Sequence, residues 1–82
     1  MADELKLMIL SPEQKILDVT CSMVNLPGTQ GSFTVLKNHR ALLSSLVAGK
    51  ITYREQGEEK ELQISSGFVE VKDNKISACV EL

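Results

Sequence analysis

Ile51-Thr52-Tyr53-Arg54-Glu55-Gln56 runs up to Gly57. Glu59-Lys60-Glu61-Leu62-Gln63-Ile64-Ser65 follows, then Gly67-Phe68-Val69-Glu70-Val71-Lys72. Behind Asp73-Asn74 comes Lys75-Ile76-Ser77-Ala78-Cys79-Val80-Glu81-Leu82. The period of this stretch is two: Ile51 and Tyr53 share one face, Leu62 and Ile64 another, and Ile76, Ala78, Val80 and Leu82 alternate over the last segment. Turn residues at Gly57 and Asp73-Asn74 punctuate it, so it reads as an antiparallel meander. Short strands with turn signals at this density predict an all-β sandwich or flattened barrel.

The same pattern extends toward the start. Leu5 to Leu10 alternates and stops at Ser11-Pro12, where the missing proline N–H breaks a ladder. Lys15 to Cys21 and Ser22 to Leu26 are rich in apolar and β-branched residues and predict a second extended pair. Pro27-Gly28 suits the two central positions of a tight turn, with glycine at a positive φ. Ser32 to Leu36 is a further strand with Phe33 and Val35 on one face, and Lys37 to Arg40 is a polar loop. Ala41 to Ala48 has helical spacing at Leu42, Leu43 and Leu46, but it is short and interrupted by Ser44 and Ser45, so an extended segment is expected.

With 82 residues, the chain has room for one domain, 1-82, without linker or repeat. Its apolar content of 43% and charged content of 24% are those of a folding chain. A net charge of −2 with dispersed Lys and Arg offers no basic stripe, so nucleic acid is not expected as a partner. The longest apolar run, Leu7 to Leu10, is far short of a bilayer span. The acidic start Met1-Ala2-Asp3-Glu4 lacks the basic flank of a secretory signal.

Chemistry is sparse. Cys21 and Cys79 stand far apart in strand-like segments, where cysteine serves as a small hydrophobe, and no disulfide is expected. With His39 the only histidine and no G-x-S-x-G around any serine, there is no nucleophilic triad. Two distant cysteines and one histidine fit no zinc spacing, and Gly28 to Ser32 lacks the order of a phosphate loop. No catalytic, metal or cofactor residue is assigned. Glu58, Glu59, Lys60 and Glu61 read as a solvated hairpin tip. A lone loop histidine such as His39 is more often hydrogen-bonded structure than function.

Leu26-Pro27-Gly28-Thr29-Gln30-Gly31-Ser32-Phe33-Thr34-Val35-Leu36-Lys37-Asn38-His39-Arg40-Ala41-Leu42-Leu43 resembles the signature of the epsilon-subunit family of F-type ATP synthases. Leu5 to Asp18 is similar to that family's opening strand, turn and second strand, Ser65 to Val71 to its S-G-G-F/I-x-E-V stretch, and Asn74 to Ser77 to its closing strand. The resemblance implies a β-sandwich of about ten strands in two sheets. It also implies a non-catalytic subunit at the foot of the central stalk that binds the gamma subunit, docks on the polar loops of the c-ring and transmits rotation. Such a subunit is peripheral on the cytoplasmic face of the bacterial plasma membrane, associated with the membrane only through the complex. By resemblance, the c-ring contact falls on Gln30, Gly31, Ser32 and His39, and the gamma contact on Arg40, Ala41, Leu42 and Leu43.

Four positions depart from the family pattern. Ser32 stands where an acidic residue is frequent, Thr34 replaces a frequent glycine, and Lys37 and Ala41 replace frequent prolines, so the loop is expected to be less pre-stiffened. The family usually continues into two C-terminal helices that restrain rotation and in some members bind ATP. The sequence ends at Leu82, and the expectation is a domain that couples without that inhibitory control. Two other classes stand beside this one: a free-standing sandwich binding a small ligand or peptide at a strand edge or in a pocket lined by Phe33, Phe68 and Tyr53, and, behind it, an enzyme using His39 or Cys79.

Overall fold

The computed structural model describes residues 3–82, which leaves Met1 and Ala2 of the acidic start outside the described residues. Nine strands form it: β1 (Leu5–Leu10), β2 (Lys15–Cys21), β3 (Met23–Gly28), β4 (Gly31–Val35), β5 (Leu42–Leu46), β6 (Gly49–Glu55), β7 (Glu58–Ile64), β8 (Ser66–Lys72) and β9 (Lys75–Glu81). They join in one curled sheet in the order β2-β1-β9-β8-β5-β3-β6-β7, with β4 paired to β3. The chain is all-β as expected, with nine strands in one curled sheet where the resemblance implies about ten in two, and the Ala41 to Ala48 segment is extended over Leu42–Leu46, as β5. Leu82 falls beyond β9 with 67% of its surface exposed, outside the face it was expected to share.

Three pairings differ from the sequence expectation. β1 and β9 run parallel, from Lys6 opposite Lys75 to Leu10 opposite Cys79, so the sheet is mixed rather than wholly antiparallel. β9 can lie there because it inserts between β1 and β8, each of which has an apolar inner row to match its own. The predicted meander is two separate hairpins, β6–β7 and β8–β9; β8 pairs with β5 instead of β7. Ser65 makes that crossing, its N–H donating to the Glu81 carbonyl at 2.8 Å. Finally, the turn expected at Pro27-Gly28 forms one step later, at Thr29-Gln30, and β3 runs straight through Pro27.

The sheet folds over at one corner. Its two halves, β2-β1-β9-β8-β5 and β4-β3-β6-β7, join along the path only where Gly28 lies opposite Leu46. Thr29 N–H donates to the Ser45 carbonyl at 3.2 Å and Val47 N–H to the Pro27 carbonyl at 2.9 Å on either side of that pair. At the far end β2 packs against β6, and Ser22 N–H reaches the Arg54 carbonyl at 2.9 Å. The alternating inner rows meet between the halves. Leu5, Leu7 and Ile9 of β1, Val24 and Leu26 of β3, Val69 and Val71 of β8, and Ile76, Ala78 and Val80 of β9 are all buried. Among the described residues no polar or charged side chain is buried, so apolar burial carries the fold.

Both cysteines are free thiols. Cys21 is fully buried in the core and Cys79 half-buried on the outer face of β9. Burial pushes the Cys21 thiol up to about 11, against a backbone hydrogen bond from Met23 and with the negative charges of Asp3 and Glu55 adding to the rise.

Candidate partner-docking groove

A groove of about 540 Å³ opens where the β3–β4 hairpin meets the segment leading into β5. One wall is the hairpin tip from Gly28 to Phe33, and the other is His39 and Arg40 with Leu42 to Ser45.

Local chemistry shapes the first wall. Thr29 and Gln30 form a two-residue turn that closes on Gly31 at φ 118°, a backbone region that favours glycine. Gly28 is there for space rather than for its φ. A Cβ on it would lie 2.8 Å from the Gly31 carbonyl oxygen and 2.9 Å from the Phe33 ring. The ring therefore lies over a bare patch of backbone, and Phe33 is only half-buried at the groove's mouth.

The second wall hangs from a turn. His39 N–H donates to the Leu36 carbonyl at 3.1 Å, with Asn38 at φ 66°, a left-handed position asparagine tolerates. Asn38 N–H donates to Asn74 Oδ1 at 2.6 Å, and Asn74 Nδ2 returns a weaker bond to Asn38 Oδ1 at 3.4 Å. Asn74 belongs to the β8–β9 turn, where Asp73 and Asn74 sit at φ 51° and 62°, the geometry of a tight two-residue hairpin. Lys37 pairs with Glu4, just ahead of β1. The polar loop, with Lys37 and Ala41 where the family frequently has prolines, is thus pinned to the other half of the sheet at two points.

His39 is half-buried, with Nδ1 2.7 Å from the Arg40 carbonyl; a carbonyl only accepts, so Nδ1 carries the proton in this bond. The ring is in this respect a structural clasp on its own loop. Arg40 is exposed and, among the described residues, makes no ion pair. The groove lining contains no carboxylate, leaving Arg40 as its single full charge. Leu42 is half-buried against the core, whereas Leu43 on the opposite face of β5 is 74% exposed.

Seven of the eight residues singled out in the sequence line this one groove: Gln30, Gly31, Ser32, His39, Arg40, Leu42 and Leu43. Ala41 does not; it lines the neighbouring recess beside Asp73 and Asn74. The structure adds Gly28, Thr29, Phe33, Ser44 and Ser45, contributed by the fold of the sheet over its corner. Only the Asp73-Asn74 turn signal pointed toward the Asn38 anchor, and nothing in the sequence joined the two. Phe33, Phe68 and Tyr53 do not share a pocket. Tyr53 is in the core, Phe33 is in the groove and Phe68 is exposed on the outer face of β8. Among the described residues no three His, Cys, Asp or Glu side chains gather to hold a metal. What the groove offers is hydrogen-bonding backbone, hydroxyls, two leucines and one cation, which suits recognition of another surface.

The family model for the ATP synthase delta/epsilon chain, β-sandwich domain, matches residues 4–81. The chain is 39% identical over 72 residues to the ATP synthase epsilon chain of Anaeromyxobacter sp. (strain K), covering 88% of this chain and 54% of that one. It is 38% identical over 82 residues to the ATP synthase epsilon chain of Desulfosudis oleivorans, covering 99% and 62%. The chain thus spans a little over half the length of these relatives. Among solved structures, a chain of the Euglena gracilis mitochondrial ATP synthase OSCP/F1/c-ring assembly superposes with a TM-score of 0.89 at 19% identity, covering 98% of this chain and 52% of that one. A chain of the Tetrahymena thermophila mitochondrial ATP synthase central stalk and c-ring gives 0.80 at 17%, covering 96% and 64%. At these identities the likeness is one of fold.

Proposed function

The chain belongs to the ATP synthase delta/epsilon-chain family through its β-sandwich domain, and on that premise we propose that it serves as a non-catalytic rotor subunit joining the gamma subunit to the c-ring. In this reading it sits on the cytoplasmic face of the bacterial plasma membrane, held there by the complex, and couples ion translocation to ATP synthesis by transmitting rotation. Gln30, Gly31 and Ser32 at the hairpin tip, with the His39 loop, meet the polar loops of the c-ring. Arg40 to Leu43 meets gamma. The observation that carries the reading is the convergence of seven of these eight residues on one groove, from two segments that the corner of the sheet brings together. At the tip, Ser32 presents a hydroxyl in place of a carboxylate, so its contact with a c-ring loop is a neutral hydrogen bond instead of an ion pair.

Binding measurements of the full chain against the purified gamma subunit and against a detergent-solubilised c-ring test this directly. Micromolar or tighter association with either supports it, and no association with either at micromolar concentration overturns it.

A further inference from the structure

The backbone of β4 has one paired edge and one free edge. Its register against β3 runs from Gly28 opposite Gly31 through Pro27–Ser32, Leu26–Phe33 and Asn25–Thr34 to Val24–Val35. Gly28 and Gly31 close the two-residue turn as the hydrogen-bonded rung, and antiparallel rungs alternate. Leu26–Phe33 and Val24–Val35 are therefore bonded rungs, while Pro27–Ser32 and Asn25–Thr34 are open ones. The same phase follows from Pro27, which has no N–H and whose carbonyl accepts from Val47 on β3's other side. The N–H and C=O groups of Ser32 and Thr34 consequently point away from β3, and among the described residues no strand or backbone group meets them.

Other edges of the sheet are defended and this one is not. β7 carries Glu58, Glu59, Lys60 and Glu61 along its length, and β2 carries Lys15 and Asp18 and leans on β6. β4 is Gly31-Ser32-Phe33-Thr34-Val35, without a charge. Charged edge strands resist pairing with another chain, and a neutral edge with free donors and acceptors invites it.

We propose that the free edge of β4 pairs, backbone to backbone, with an extended segment of the gamma subunit that brings an acidic side chain to Arg40. Two residues along a strand repeat at about 6.7 Å, and only an extended polypeptide presents alternating acceptors and donors at that interval to Ser32 and Thr34. Arg40, without a carboxylate in the groove, supplies the charge complement. The edge borders that groove at Ser32, whose side-chain hydroxyl is the part read above as the c-ring contact and whose in-plane backbone N–H and C=O remain open, and across the groove lies the Arg40–Leu43 side read as the gamma contact; the proposal rests on that reading.

Amide hydrogen exchange of the unaltered chain, residue by residue, alone and with gamma, tests it. Alone, Ser32 and Thr34 exchange freely while the Phe33 and Val35 amides are protected; with gamma, Ser32 and Thr34 slow by at least about tenfold. Thr34→Pro removes an outward N–H and keeps every backbone bond to β3, but it also removes the hydroxyl that accepts from Asn25 Nδ2 at 2.9 Å, a loss Thr34→Val reproduces without altering the backbone; Thr34→Pro therefore weakens gamma binding by about tenfold more than Thr34→Val does. If gamma binds, and Leu42→Asp weakens it, while Ser32 and Thr34 stay unprotected, edge pairing is overturned and the rotor reading stands. Protection by the c-ring and not by gamma overturns the proposed occupant. If gamma does not bind the unaltered chain, both fall.

Discussion

Two hairpins of the same sheet meet water with opposite chemistry. β6 and β7 turn through Gln56 and Gly57, at φ 53° and 81°, and the rungs behind them are laced by ion pairs. Lys60 reaches Glu55 at 3.1 Å, Arg54 reaches Glu59 at 3.4 Å and Lys50 reaches Glu61 at 3.0 Å. β3 and β4 turn through Thr29 and Gln30 with no charged residue in either strand, and their cross-strand side-chain bond is the neutral Asn25–Thr34 pair at 2.9 Å. Each exposed ion pair contributes only about 0–1 kcal/mol, so the charges of the first hairpin matter less for folding than for keeping its edge solvated. The second hairpin lacks that protection and leaves its tip and the half-buried Phe33 lining the groove. One end of the sheet is finished against solvent, and the other is left with unmet hydrogen-bonding capacity beside a groove.

The contrast breaks most severely at Gly28. Gly28→Val would drive a side chain into the Gly31 carbonyl and the Phe33 ring, and the expected loss, read by urea denaturation, is about 3 kcal/mol. Next comes a pH effect beneath the charged hairpin. Cys21, desolvated in the core and pushed a little further by the charges of Asp3 and Glu55, holds its proton in the folded state up to about 11, above its ordinary 9.0. The unfolded thiol ionises first, so stability is full below pH 9 and falls between 9 and 11, by about 2–3 kcal/mol. Cys21→Ala should lose this alkaline slope in denaturation curves measured across that range, while Cys79→Ala should keep it.

Two substitutions address the groove itself. Leu42→Asp places a charge in a half-buried contact and should weaken gamma binding by about 2 kcal/mol in titration calorimetry. Arg40→Glu should mainly slow association, by about tenfold at low salt, with the effect fading as salt is raised in stopped-flow measurements. The smallest effect belongs to the finished hairpin: Glu59→Gln removes the partner of Arg54 and should change stability by less than about 0.5 kcal/mol, with gamma binding unchanged. A large effect of Glu59→Gln on binding would erase the distinction between the two hairpins.

Much of this was legible residue by residue. The alternation of Ile76, Ala78 and Val80 marks an inner row before any partner is known, and Gly57 and Asp73-Asn74 mark the turns that form. Pro27-Gly28 has the composition of a turn, but Pro27 occupies a rung that is open toward β4 and faces Val47, just beyond the end of β5, on its other side, so its missing N–H costs no bond of the β3–β4 ladder, and Gly28 is needed for closeness to Phe33. Ala41 stands between groove residues in the chain but lines the recess beside Asp73 and Asn74, which chain order alone does not distinguish.

Local sequence specifies where the strands and turns lie, that the interior is wholly apolar, and which two segments bear the family signature, because side-chain period, proline and glycine act over a few residues. Tertiary structure decides that β9 lies parallel to β1, that β8 turns to β5 and away from β7, and that Gln30 and His39 face one groove. It also decides that Ser32 and Thr34 keep a free edge. Those outcomes depend on which strand lies beside which, and pairing is settled between residues distant in the chain, by the burial of their inner rows against one another.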